Sequence, residues 1–140
     1  MFAIKAAVRD TAASTFMFRD QKTMYGGKRI ARGDRIYIFA SENEGGTGLI
    51  ARGIVDSAEP TPRKPGIDRQ TPRVSIVVER TGTALRRLGR DELRPHQGGS
   101  DGDPEDELNF KFYRQATNKI VGLSAQAAAF LETHFTGSRS

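Results

Sequence analysis

The chain contains no cysteine and no tryptophan in 140 residues. The first absence excludes disulfides and thiolate metal sites outright. Histidine is almost missing as well: His96 falls in a loop and His134 in a terminal helix, and neither has a second ligand at metal spacing. No apolar run approaches the ~20 residues that a membrane span needs. Met1-Phe2-Ala3-Ile4-Lys5 carries a charge at position 5 with no long apolar core after it, and does not read as a signal peptide. No membrane partner is therefore expected, and the expected location is the cytoplasm.

Catalytic patterns are missing too. Ser14, Ser41, Ser75 and Ser124 have no nucleophile-elbow context, and no spacing singles out a pair of carboxylates. Gly45-Gly46-Thr47-Gly48 lacks the Gly-Lys-Ser/Thr ending of a phosphate loop and reads as a turn between strands. The acidic run from Asp101 to Glu107 fails the calcium-loop template, because Asp106 and Phe112 occupy the positions that need glycine and glutamate. It reads as a solvated acidic loop. No catalytic residue, no metal and no cofactor are expected. A metal-dependent hydrolase built on Asp34, Glu42 or Glu44 is the weakest of the readings that the residues allow.

What the chain does have is positive charge. The formal net charge is +5 and the isoelectric point is near 9.9. Excess cations on a small domain favour a polyanionic partner, since phosphate contacts supply affinity independent of sequence. Residues 19 to 35 contain Arg19, Lys22, Lys28, Arg29, Arg32 and Arg35 against only Asp20 and Asp34. Arg52 follows on a later strand, and Lys111, Arg114 and Lys119 flank Phe112 and Tyr113. Cations interleaved with aromatics suit a surface that stacks bases and grips phosphates. The alternative is that the aromatics are core and the cations serve solubility. On alternation, Phe110 and Phe112 are assigned to the core and Tyr113 to the surface.

A chain of this length forms one domain, here residues 1–136 with a frayed tail at 137–140. Fifteen glycines favour strands joined by tight turns. Phe2, Ile4, Ala6 and Val8 share one face at period two and predict a half-buried strand. The stretch from Asp10 to Phe18 fits either a short capped helix or an extended segment. Tyr25-Gly26-Gly27 and Gly33-Asp34 predict turns. Arg35-Ile36-Tyr37-Ile38-Phe39-Ala40 and Leu49 to Val55 predict two strands of a hairpin, rich in β-branched and aromatic residues. Four prolines in residues 59 to 73 (Pro60, Pro62, Pro65 and Pro72) predict a long basic loop. Val74 to Arg80 predicts a strand, and Asp91-Glu92-Leu93 a helical turn closed by Pro95. Leu108 to Arg114 alternates and predicts another strand; Ile120-Val121 is a short extended piece. Ser124 caps a final helix over 125–135. The expected class is α+β, mainly β: a twisted antiparallel barrel with a short flanking helix and a C-terminal helix.

The run Lys28 to Phe39, with its Gly33-Asp34 pair, resembles the Gly-Asp strand of PUA-like domains. Leu49-Ile50-Ala51-Arg52-Gly53-Ile54-Val55 is similar to the strand that follows it there. Within that superfamily the EVE domains, relatives of the ASCH and YTH groups, are the nearest match. The resemblance covers residues 1 to 58 and, more weakly, 107 to 135. It implies a small twisted barrel and a pocket between the first strand and the Gly-Asp strand, which in EVE and YTH relatives is implicated in binding a modified nucleobase. By position, Lys5, Ser41, Asn43 and Arg52 would lie near that pocket. With no tryptophan available, an aromatic cage would need Tyr25, Tyr37, Phe39 or Tyr113. The expected function is a non-enzymatic module that binds RNA or DNA, with a base or nucleotide in its pocket. The competing expectation is a small-molecule or protein interaction domain with no nucleic-acid binding.

Overall fold

Strands form where apolar and β-branched residues alternate, and here six of them close a barrel in the order β1-β3-β4-β5-β2-β6. The computed structural model describes residues 1–62, 64–66, 71–96, 103–115 and 117–135. β1 (Phe2–Ala6) lies parallel to β3 (Arg35–Ala40), with Lys5 opposite Phe39. β3 and β4 (Gly48–Pro60) form the expected antiparallel hairpin, and β4 continues against β5 (Arg73–Thr83). β2 (Thr15–Met24) pairs with β5 and is bulged between Phe18 and Gln21. β6 (Lys119–Gly122) closes the ring, antiparallel to β1 and parallel to β2.

Two clusters hold the fold. Ile4, Phe16, Phe18, Ile36, Ile38, Val55, Ile76, Val78 and Ile120 fill one of them. Ala3, Tyr37, Phe39, Leu49 and Val121, on the opposite faces of the same strands, meet a helical layer through Leu93, Leu108, Phe112, Ala128 and Leu131. β1 and β3 are thus buried on both faces, in keeping with their largely apolar sequences. The layer consists of α1 (Arg90–Leu93), α2 (Pro104–Asn109) and α3 (Ala125–Glu132). As expected, Ser124 caps α3, its hydroxyl accepting from the Ala127 amide at 3.1 Å.

One open alternative is decided and one expectation gives way. The ambiguous stretch after Asp10 becomes strand from Thr15, because Phe16 and Phe18 alternate into the core. The strand expected over 108–114 is helical: α2 runs into a π-helical turn, Phe110–Arg114. Leu108 and Phe112 are both buried, and a four-residue spacing satisfies period two and a helix alike. Phe110 separates the two, since a strand would bury it with its neighbours and here it is 43% exposed. Asp103 starts the helix by accepting from the Glu105 amide at 2.9 Å, with Pro104 in the first turn. The acidic stretch from Pro104 onward is therefore helix rather than loop; residues 97–102, parts of the 59–73 loop and the tail 137–140 lie outside the described residues. Among the described residues no helix is long and apolar enough to cross a membrane.

Candidate nucleic-acid interface

Lys5 and Lys119 face each other across the β1–β6 ladder, on the side covered by helices. Neither is open to solvent. The Lys5 ammonium donates to the Phe112 carbonyl at 2.7 Å and lies 5.0 Å from the Tyr113 ring centre. Lys119 donates to the carbonyls of Gln115 and Thr117 at 2.8 and 2.9 Å. The Phe112 and Gln115 carbonyls belong to the end of the π-helical turn, so the two lysines bring positive charge to a helix C-terminus. Burial lowers the pKa of both, Lys119 to about 8.

The segment after β3 is equally occupied. Ser41 is buried and its hydroxyl has no hydrogen-bond partner among the described residues. Asn43 accepts from the Arg90 guanidinium at 2.8 Å. Glu42 accepts the Arg90 amide at 2.7 Å and the Tyr113 hydroxyl at 3.0 Å. Burial, reinforced by the Glu42 carboxylate, raises the Tyr113 pKa. Tyr113, expected on the surface, is turned inward by the helix, and Phe110 is turned outward in its place. The seam between β1 and β3 is a continuous hydrogen-bonded ladder, and Phe39 and Phe112 pack over it with ring centres 5.0 Å apart.

An open cleft of about 360 Å³ lies instead on β3, β4 and β5, against the end of α3. Arg35, Tyr37, Arg52, Thr81 and Glu132 contribute its polar lining. Tyr37 and Arg52 are direct partners in the β3–β4 register and project on the same side. The Tyr37 hydroxyl donates to Glu132 at 2.7 Å, and Arg52 forms an ion pair with the same carboxylate. Arg52 lies across Gly82, where an added Cβ would stand 2.7 Å from its Nε. Burial raises the Tyr37 pKa, so the hydroxyl keeps its proton and donates at neutral pH.

Lys28, Arg29 and Arg32 lie outside both clusters, on the exposed connection from β2 to β3, and Arg35 begins β3 at the cleft. None of the four enters an ion pair among the described residues. Arg114 is exposed at the end of the π-helical turn, its guanidinium 5.5 Å from the Phe110 ring centre. The structure thus brings Arg35, Tyr37 and Arg52 together at the cleft, with Lys28, Arg29 and Arg32 on the exposed connection that precedes Arg35 in the chain. It separates them from Lys5, Ser41, Asn43, Tyr113 and Lys119, which lie under or beside the helices. Glu132 had no signal in the sequence, because only folding brings its helix turn to β3.

His96, Asp103 and Glu105 offer ligand atoms within 4.8 Å of one another, a proximity invisible in their spacing. Local structure already occupies them, since Asp103 caps α2 and Glu105 lies 3.9 Å from His96.

No family model and no curated protein matches the chain in sequence. The crystal structure of the DUF55 domain of human thymocyte nuclear protein 1 superposes on it with a TM-score of 0.62. The match covers 94% of this chain and 96% of that one at 14% identity. That domain has a PUA-like fold, and this chain shares its fold.

Proposed function

We propose that this PUA-like domain is a non-enzymatic nucleic-acid-binding module. The exposed connection Lys28–Arg35 grips phosphates, and the cleft at Tyr37, Arg52 and Glu132 receives a base or nucleotide. The observation that carries this reading is the contrast among cations. Arg52, Arg87 and Lys111 are paired with carboxylates, whereas Lys28, Arg29, Arg32 and Arg35 stand exposed and unpaired among the described residues. Four cations within eight residues cost self-repulsion, which a polyanion removes. At the cleft, Glu132 can accept from the N–H groups of a base edge, while Arg35 and Arg52 meet acceptors or phosphate.

The test is charge reversal of Arg29, Arg32 and Arg35 together, assayed by fluorescence anisotropy on short RNA and DNA at several salt concentrations. All three side chains are on exposed residues, so the fold is unaffected. Losing about three phosphate contacts should flatten the log–log salt slope by roughly 2 to 3 and weaken binding more than a hundredfold at low salt. A triple variant that binds like the parent, with the same slope, overturns the assignment. A parent protein with no salt-dependent binding overturns the function.

A further inference from the structure

The outward turn of Phe110 has a counterpart. Tyr25 is 36% exposed, and its ring centre lies 5.7 Å from that of Phe110 at an interplanar angle of 58°. The two rings come from distant parts of the chain: Tyr25 from the turn after β2, Phe110 from the first residue of the π-helical turn. They rest on each other at the surface and belong to neither core cluster.

The backbone at Tyr25 makes the choice of residue unusual. Its φ is 52°, and Gly26 follows at 83°. A left-handed conformation costs a residue with a Cβ about 1 to 2 kcal/mol, and more is expected of a bulky one. Glycine or asparagine would hold the turn without that cost. The turn itself uses only the backbone here: the Tyr25 carbonyl accepts the Gly122 amide at 3.1 Å, as any residue could. The ring is what tyrosine adds, and strain retained at a surface position points to use. A π-helical turn is likewise a feature concentrated at functional sites.

Cations surround the pair. The Lys111 ammonium lies 5.6 Å from the Tyr25 ring centre and the Arg114 guanidinium 5.5 Å from that of Phe110. Lys28 and Arg29, both exposed, follow closely after Tyr25 in the chain. The aromatic pair therefore continues the basic connection that leads to the cleft.

We infer that Tyr25 and Phe110 form a stacking platform for unpaired bases, which makes this protein a binder of single-stranded nucleic acid in preference to duplex. The inference rests on the nucleic-acid reading above. It commits to single strands because a duplex stacks and pairs its bases internally and offers no free π-face, whereas every unpaired base does. Arg114, Lys28 and Arg29 then meet the backbone phosphates on either side of the stacked bases.

Two variants test it. Tyr25→Asn removes the ring at a position whose backbone asparagine accepts readily, so the variant folds at least as well as the parent. Phe110→Ala removes an exposed ring. Binding of a twelve-nucleotide oligouridylate and of a duplex of the same length is measured by anisotropy at two salt concentrations. Each single variant should weaken single-strand binding about tenfold and the double variant about a hundredfold, with duplex affinity and salt slope unchanged. Tyr25→Phe should keep single-strand binding, since the ring and not the hydroxyl stacks. Quenching of tyrosine fluorescence by the oligouridylate should be smaller in Tyr25→Asn than in the parent. If the parent binds with a normal salt slope and the double variant binds the single strand equally well, the platform is refuted and the basic connection stands. If the parent binds neither ligand, the nucleic-acid reading falls and takes the platform with it.

Discussion

Raising the pH from 7 to 10 should stabilise this protein, and Lys119 is the main reason. Its side chain is fully buried, with its nitrogen held by the carbonyls of Gln115 and Thr117. Burial first, then the nearby charges of Lys5 and Lys22, lower its pKa from 10.5 to about 8. The folded protein therefore releases this proton near pH 8, while the unfolded chain holds it until 10.5. Between those values unfolding takes up a proton, so stability rises with pH. At ~1.4 kcal/mol per pH unit the gain by pH 10 is roughly 2 kcal/mol. A neutral amine still has two N–H groups, one for each carbonyl, so the hydrogen bonds survive. Lys5, also lowered by burial, adds in the same direction. Above pH 10 the trend reverses, because burial raises the pKa values of Tyr37 and Tyr113 and their ionisation favours the unfolded chain. Urea unfolding followed by far-ultraviolet circular dichroism should show the midpoint climbing by about 1 M between pH 7 and 10, for a denaturant slope near 2 kcal/mol per M. Lys119→Met should start near the parent at pH 7, since relief of the buried charge offsets two lost hydrogen bonds. It should then lose most of the climb. A parent midpoint that is flat or falling over this range refutes the argument, as does a Lys119→Met variant that climbs as steeply.

Two further substitutions probe the scaffold under the proposed sites. Glu107 ties α2 to α3: its carboxylate accepts the Ser124 amide and the Lys111 ammonium, both at 2.9 Å, and the Ser124 hydroxyl. Burial alone would raise its pKa, but these donors outweigh burial and lower it. Its contribution is present above the ordinary carboxylate range and fades as pH falls through the depressed value. Glu107→Gln should lower stability at pH 7 by about 2 kcal/mol and lose part of the acid sensitivity below pH 5, both read from thermal melts. Gly27 lies against β6 so closely that a Cβ would stand 2.1 Å from the Ile120 carbonyl oxygen. Backbone cannot yield there as a flexible side chain would, so Gly27→Ala should cost at least about 2 kcal/mol and displace the basic connection that follows it. A variant as stable as the parent would show that β6 can shift away from the turn.

The elements that local pattern settles were legible in the residues. The β3–β4 hairpin follows from two β-branched runs joined by a glycine-rich segment. β1 follows from period-two apolarity, and α3 from Ser124 before a run with apolar residues at helical spacing. These signals depend on near neighbours in the chain, so no tertiary information is needed to read them. The excess of cations between residues 19 and 35 was legible for the same reason: charge is a property of composition, and exposed turns keep it at the surface. Other decisions depended on contacts between residues far apart. Leu108 and Phe112 satisfy strand and helix spacing equally, and only packing against Phe39 and the α3 layer shows that the segment is helical. That choice turns Tyr113 inward, half-buried against the helical layer, and exposes Phe110, against their expected places. Lys5 is expected beside a pocket and Lys119 on the surface, but β1 and β6 pair beneath the helices and turn both ammonium groups onto main-chain carbonyls. The Arg52–Glu132–Tyr37 cluster and the Tyr25–Phe110 pair join residues that no window of sequence holds together. Local propensity thus determined most of the strands, the last helix and the charge of the surface. Long-range packing decided which faces are buried, and hence which cations and rings remain free to meet a ligand.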